Sequence, residues 1–308
     1  MNRHVLLAAA FALLIGGAFG VSCTTPQPAL ECSYLPLYWA QYKLVSGTGT
    51  CSTYEGDRVD FQRYQPPDST TSTFAFMPRR VGRITRFDPC TGAADGLLFR
   101  NDPADPNHLK EAPRGTQDVY PNAQGFCTSA TLIPAEQNLE EMTVDKCLAA
   151  GINPSRLADG GTTLADGGSA LKTPLPKPAL HYKDTWSNYR QLSTARFTSN
   201  IWEADLEVVR DACTATYKVL GFFPPVGCAT VNGDEDCNPD SNVAKGRAVG
   251  SGIPADFASK CVALTGAYEK GYLANFPGGI NGQSTVNFEA VDGVCVPTKT
   301  IDELAALK

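Results

Sequence analysis

The sequence predicts a mainly β protein, α+β only through a few short helices, arranged as two tandem strand-rich modules stapled by disulfides. Three observations carry that expectation. Apolar and polar residues alternate through several runs, ten of the 11 cysteines fall into two groups of five, and a stretch without hydrophobic periodicity separates the groups. With 308 residues, 43% of them hydrophobic, the chain has enough apolar surface for two packed cores.

The chain opens with MNRHVLLAAAFALLIGGAFGVS, in which Arg3 and His4 precede an apolar run from Val5 to Phe19 and then small residues. That layout is an export signal, so residues 1–22 are set outside the folded protein. Cys23 follows in GVSC, and residues 23–31 carry the polar, proline-bearing TTPQPAL. The stretch resembles bacterial lipoprotein signals, although Gly20 stands where that class usually has a large aliphatic residue. The resemblance implies lipidation of Cys23, a tether over 23–31, and a membrane surface as partner, as in an outer-membrane lipoprotein. Ala18 and Gly20 also satisfy the rule for an ordinary cut before Val21, which would leave a soluble secreted chain. Cysteine parity favours the lipid: an exported chain tends to oxidise its thiols in pairs, and removing Cys23 leaves an even set.

The first module is expected over 32–150. YLPLYWAQY (Tyr34–Tyr42), RVDFQRY (Arg58–Tyr64) and TFAFM (Thr73–Met77) read as strands bounded by Gly, Pro, Asp and Asn turns. The aromatic residues of the first are expected in the core rather than on a sugar-binding surface. PRRVGRITRF concentrates Arg79, Arg80, Arg83 and Arg86. It reads as a strand whose cations face water or local carboxylates, the alternative being a grip on an anionic polymer.

Residues 151–180 contain LADGG twice and then Pro174, Pro176 and Pro178, a flexible coil running into a stiffer spacer. They are expected to link the modules. The second module is expected over 181–308. In IWEADLEVV, Trp202, Ala204, Leu206 and Val208 alternate with carboxylates, and in ATYKVLGFF, Ala215, Tyr217 and Val219 face one way. Pro254–Ala274 places Phe257, Cys261, Leu264 and Tyr268 on one helical face, and Thr300 with Glu303 forms a capping box for a short terminal helix.

CSTYEGD at Cys51 echoes CATVNGD at Cys228, and neighbouring blocks keep the same order. A diverged tandem duplication is therefore expected, matching Cys32, Cys51, Cys90 and Cys127 with Cys213, Cys228, Cys261 and Cys295. Cys147 and Cys237 remain unmatched. All ten are disulfide candidates, with connectivity left open by the sequence.

A net charge of -6 disfavours a nucleic-acid partner. Beyond the signal only His108 and His181 remain, and there is no H-E-x-x-H, C-x-x-C or G-x-S-x-G pattern, so no catalytic residue is assigned and enzyme activity is not the favoured reading. In DEDCNPDSN, oxygen side chains alternate at Asp234, Asp236, Asn238 and Asp240, a spacing suited to calcium. The stretch resembles an EF-hand loop in its first half only, with Pro239 in place of the turn glycine. The competing reading is an acidic turn pinned through Cys237. The whole points to an exported envelope protein with a structural or binding role towards a protein or glycan partner. The alternatives are a secreted carboxylate-dependent hydrolase of an extracellular polymer and a calcium-dependent adhesion module.

Overall fold

A computed structural model describes residues 30–35, 37–81, 112–149, 178–230, 233–240, 251–265 and 292–307. The export signal, Cys23, Cys90, Arg83, Arg86, His108 and nearly all of 151–180 lie outside the described residues.

The protein is mainly β, as the alternating runs predict. The strands are β1 (Tyr38–Gly47), β2 (Gly56–Tyr64), β3 (Thr71–Pro78), β4 (Arg114–Asp118), β5 (Phe126–Thr131), β6 (Ala135–Leu139), β7 (Leu180–Ser193), β8 (Thr198–Arg210) and β9 (Cys213–Phe222). They form one nine-stranded antiparallel sheet in the order β4-β3-β2-β1-β9-β8-β7-β5, with β6 also paired to β7. The sheet curls until Arg114 of β4 and Ile133, between β5 and β6, exchange backbone hydrogen bonds of 3.1 and 2.7 Å. The result is a nearly closed barrel.

Period-two alternation decides what fills it. Trp202, Ala204, Leu206 and Val208 of β8 and Ala215, Tyr217 and Val219 of β9 point inward, as do Val59, Phe61, Phe74 and Phe76. Their rings interlock with Trp186 and Tyr189 of β7; Phe76 meets Trp186 edge-on at 4.7 Å, and Tyr34 stacks on Phe61 at 4.7 Å. Small barrels have an interior just wide enough for side chains, and here aromatic rings occupy it. Gly221 sits opposite Trp202, and a Cβ there would lie 1.9 Å from the indole, so glycine makes room for one of the core's two indoles.

Near the end where the chain enters, the outward side of β1, β7, β8 and β9 carries one apolar row. Trp39, Leu192, Ile201 and Phe222 pack against the C-terminal segment, through Phe257, Val294, Ile301 and Leu304. That segment holds a second sheet of β10 (Gly227–Cys228), β11 (Lys260–Ala263) and β12 (Gly293–Val296), ordered β10-β12-β11. Short helical pieces complete the described elements: the 3-10 turns Thr50–Ser52, Gly233–Cys237 and Ala255–Phe257, helical residues 79–81 after β3, and the helices α1 (Val144–Ala149) and α2 (Ile301–Ala305). The latter starts with the expected capping box, Glu303 N donating to Thr300 Oγ1 and the Glu303 side chain accepting from Thr300 N.

Two expectations are corrected. The chain does not divide into modules at 151–180: Glu31–Lys308 is one compact unit, β1 pairs with β9, and β5 and β6 pair with β7. The reason lies in β1, whose inner aromatic face and second edge would stay open to water without β9. The duplication fails with it, because the disulfides do not repeat. Cys32 bonds to Cys127, Cys51 to Cys213, Cys228 to Cys261 and Cys237 to Cys295. A repeat of the first bond would join Cys213 to Cys295. Cys147 is disulfide-bonded too.

The helix expected from Pro254 is also replaced, over the described part, by a 3-10 turn at Ala255–Phe257 and then β11. Cys261 is drawn into the sheet opposite Cys295 and bonded to Cys228, which overrides the helical spacing. Among the described residues no helix is long and apolar enough to cross a membrane.

Candidate functional site

Strand directions give the barrel two ends. At one, the chain enters through Glu31 and Cys32 beside the ends of β4 and β7; at the other lie the end of β3, the start of β2 and the end of β8. The second end holds a buried charge cluster. The helical residues after β3 carry Arg80 inward, where Nη1 and Nη2 both donate to Asp184 Oδ2 at 2.8 Å. Asp184, fully buried on β7, also has Arg210 Nη2 at 3.5 Å from its other oxygen.

Asp57, at the start of β2, accepts from the backbone N–H groups of Arg58 and Arg80, each at 2.8 Å. Aromatic rings complete the enclosure. The Arg80 guanidinium lies 5.0 Å from the Tyr54 ring centroid and 5.4 Å from that of Tyr42, and Arg210 lies 4.8 Å over Tyr182. Burial works against the charge on Arg80, but Asp184 first, with Tyr42, Asp57 and Tyr54 adding to it, outweighs burial and keeps the guanidinium protonated. Burial likewise drives the Tyr42 phenol well above its ordinary range, so it stays neutral.

Chemically the cluster is a clamp. It neutralises its own charges and ties β2, β3, β7 and β8 together at the far end. The sequence reading set Arg80 in a strand whose cations face water or local carboxylates and passed over Asp184 and Arg210; Arg80 instead stands in helical residues and meets a carboxylate 104 positions away. The usable signals were a charged residue at an inward position of β7 and arginines at strand ends.

A groove of about 450 Å³ runs between the barrel and the second sheet, with Tyr42, Leu44 and Tyr54 on one wall and Val262, Leu264 and Val294 on the other. Glu55 bridges its walls, accepting from Thr265 N at 2.8 Å and from the Thr265 hydroxyl.

The residues singled out for calcium sit in and after a 3-10 turn at Gly233–Cys237. Asp234 Oδ1 accepts from Cys261 N and Asp236 Oδ2 from Ala229 N, both at 2.8 Å, while Asn238 Oδ1 accepts from Asp240 N at 2.9 Å. Two of these oxygens therefore tie the turn to β11 and to the residue after β10, and the third shapes the turn itself. Beside them the sulfurs of Cys228, Cys237 and Cys295 lie within 4.8 Å of one another. All three are disulfide-bonded, so they form stacked staples in place of metal-binding thiolates. His181 Nε2 lies 3.4 Å from Glu136 on the outside of the barrel.

No curated protein and no solved structure matches the chain. A family model described as MlpA matches residues 36–224. The matched stretch runs from just before β1 to just after β9 and stops before the second sheet, so it spans the strands of the barrel. With well over half of its length matched, the chain belongs to the MlpA family.

Proposed function

We propose that this chain is an exported cell-envelope protein, held at a membrane surface through a lipid on Cys23, whose barrel acts as a rigid structural or binding module for a protein or glycan partner. The observation that carries the reading is the disulfide set. Cys32–Cys127 and Cys51–Cys213 join residues 95 and 162 positions apart, bonds that persist in an oxidising compartment. The filled barrel supports a scaffold role, since its aromatic interior is packing and recognition would fall to the outer surface and the groove beside β1.

Mass spectrometry of the mature protein from membranes tests the anchor. A chain beginning at Cys23 with a thioether-linked lipid is expected; one beginning at unmodified Val21 would overturn it. Crosslinking in intact cells tests the partner, with a discrete adduct to an envelope protein or glycan as the expected outcome.

A further inference from the structure

We infer that the entry end of the barrel rests on the lipid surface, with Tyr64 and Tyr120 seated in the headgroup layer. This rests on the anchoring reading above and deepens it by assigning which end faces the membrane.

The entry point is rigidly placed. Cys32 N donates to Val119 O at 2.7 Å, Ser193 Oγ donates to Glu31 O at 3.1 Å, and Cys32 is bonded to Cys127 at the start of β5. From Glu31 back to Cys23 is eight residues, a reach of at most about 28 Å when fully extended. Strand β8, 13 residues long and tilted by about 40° as barrel strands are, carries the barrel roughly 33 Å from end to end, so a lipid on Cys23 holds the entry end nearer the bilayer than the far end.

Two large aromatic residues flank that entry point on the outside. Tyr64 ends β2 and is 68% exposed; Tyr120 lies just beyond β4, next to the carbonyl that receives Cys32, and is 50% exposed. By register Tyr64 pairs with Thr73 of β3 and Thr73 with Thr116 of β4, so both rings lie at the entry end, two strands apart, with Tyr120 further towards the tip of that end. Arg63, beside Tyr64, lies 3.8 Å from Glu31 of the entry segment. Among the described residues both rings stand outside the core clusters. Tyrosine has an apolar body and a polar tip, which suits it to the boundary between headgroups and acyl chains. Asp68 and Asp118 also lie at this end, so the seating depends on the tyrosine rings and not on attraction to anionic lipid.

Hydroxyl-radical footprinting of the lipidated protein on phosphatidylethanolamine–phosphatidylcholine vesicles, compared with soluble Cys23→Ser protein, tests the orientation. Tyr64 and Tyr120 should label several-fold more slowly on vesicles, while Leu44 and Val45 towards the far end label equally in both. On a chain whose mass shows the lipid, equal labelling at Tyr64 and Tyr120, or protection at Leu44 and Val45 instead, overturns this inference and leaves the anchor standing. A mass showing no lipid on Cys23 overturns the anchoring reading, and this inference falls with it.

Discussion

Arg80 and Asp184 are 104 residues apart in the chain, yet both terminal nitrogens of the arginine lie 2.8 Å from one carboxylate oxygen inside the barrel. The pair joins a turn before residues 151–180 to a strand after them. Removing one partner leaves a buried charge, which typically costs about 3–5 kcal/mol. Arg80→Met is expected to lower stability by that order in urea denaturation. Arg80→Met with Asp184→Leu should recover part of the loss. A loss under about 1 kcal/mol for the single variant would mean the pair is solvated like a surface ion pair.

Gly221→Ala tests the packing of the barrel. The new methyl would meet the Trp202 indole at 1.9 Å, and a clash with a fully buried ring opposite it in the sheet cannot be relieved by a small shift. Overpacking of this kind costs about 1–3 kcal/mol or more. The expected outcome is a lower melting temperature with altered near-ultraviolet circular dichroism from the tryptophan. An unchanged spectrum would contradict the placement of Trp202.

Two arginines clamp the C-terminal segment to the barrel. Arg190 of β7 forks onto Asp302 with two bonds of 2.7 Å, and Arg196 forks onto Asp256 at 2.5 and 2.7 Å. Hydrogen bonds from these arginines hold both carboxyls below the ordinary carboxylate range. The folded protein therefore binds fewer protons than the unfolded chain in acid. The stabilisation is complete above the ordinary carboxylate pKa of about 4 and is lost as pH falls through the depressed values. Arg190→Met should reduce the slope of stability against pH below about 4, measured by thermal melts, and leave it unaltered near pH 7. An identical slope in the variant would show that the clamp does not form.

Asp236 is expected to act through the Ala229 amide, as part of the turn that ties β10 to the staples. Asp236→Ala should lower the melting temperature by the same amount with and without a calcium chelator, and the chelator should leave the parent protein unchanged. A chelator-dependent drop, absent in the variant, would favour calcium instead.

Much of the barrel was legible in the sequence because alternation reports burial locally. Trp202 to Val208 and Ala215 to Val219 point inward as their spacing predicts. What alternation does not report is which strands pair. Residues 151–180 look like a boundary because they lack periodicity, but a sheet joins strands by edges, and the edge of β1 is completed by β9. The helix expected from Pro254 failed for a related reason: a disulfide and a strand partner, both distant in sequence, outrank helical spacing at Cys261. The far-end charge cluster could be read only as single inward or strand-end charges, because Arg80, Asp184 and Arg210 come from three separate strand neighbourhoods and their meeting depends on strand pairing.

Disulfide mapping of the native exported protein, by proteolysis without reduction and mass spectrometry, tests the central claim most directly. A single barrel matured in an oxidising compartment predicts a peptide pair joining Cys51 to Cys213, a bond that in the chain-entropy model contributes about 5 kcal/mol for a loop of this length taken alone. Free thiols at Cys51 and Cys213, or bonds confined to the residues on either side of 151–180, would contradict it.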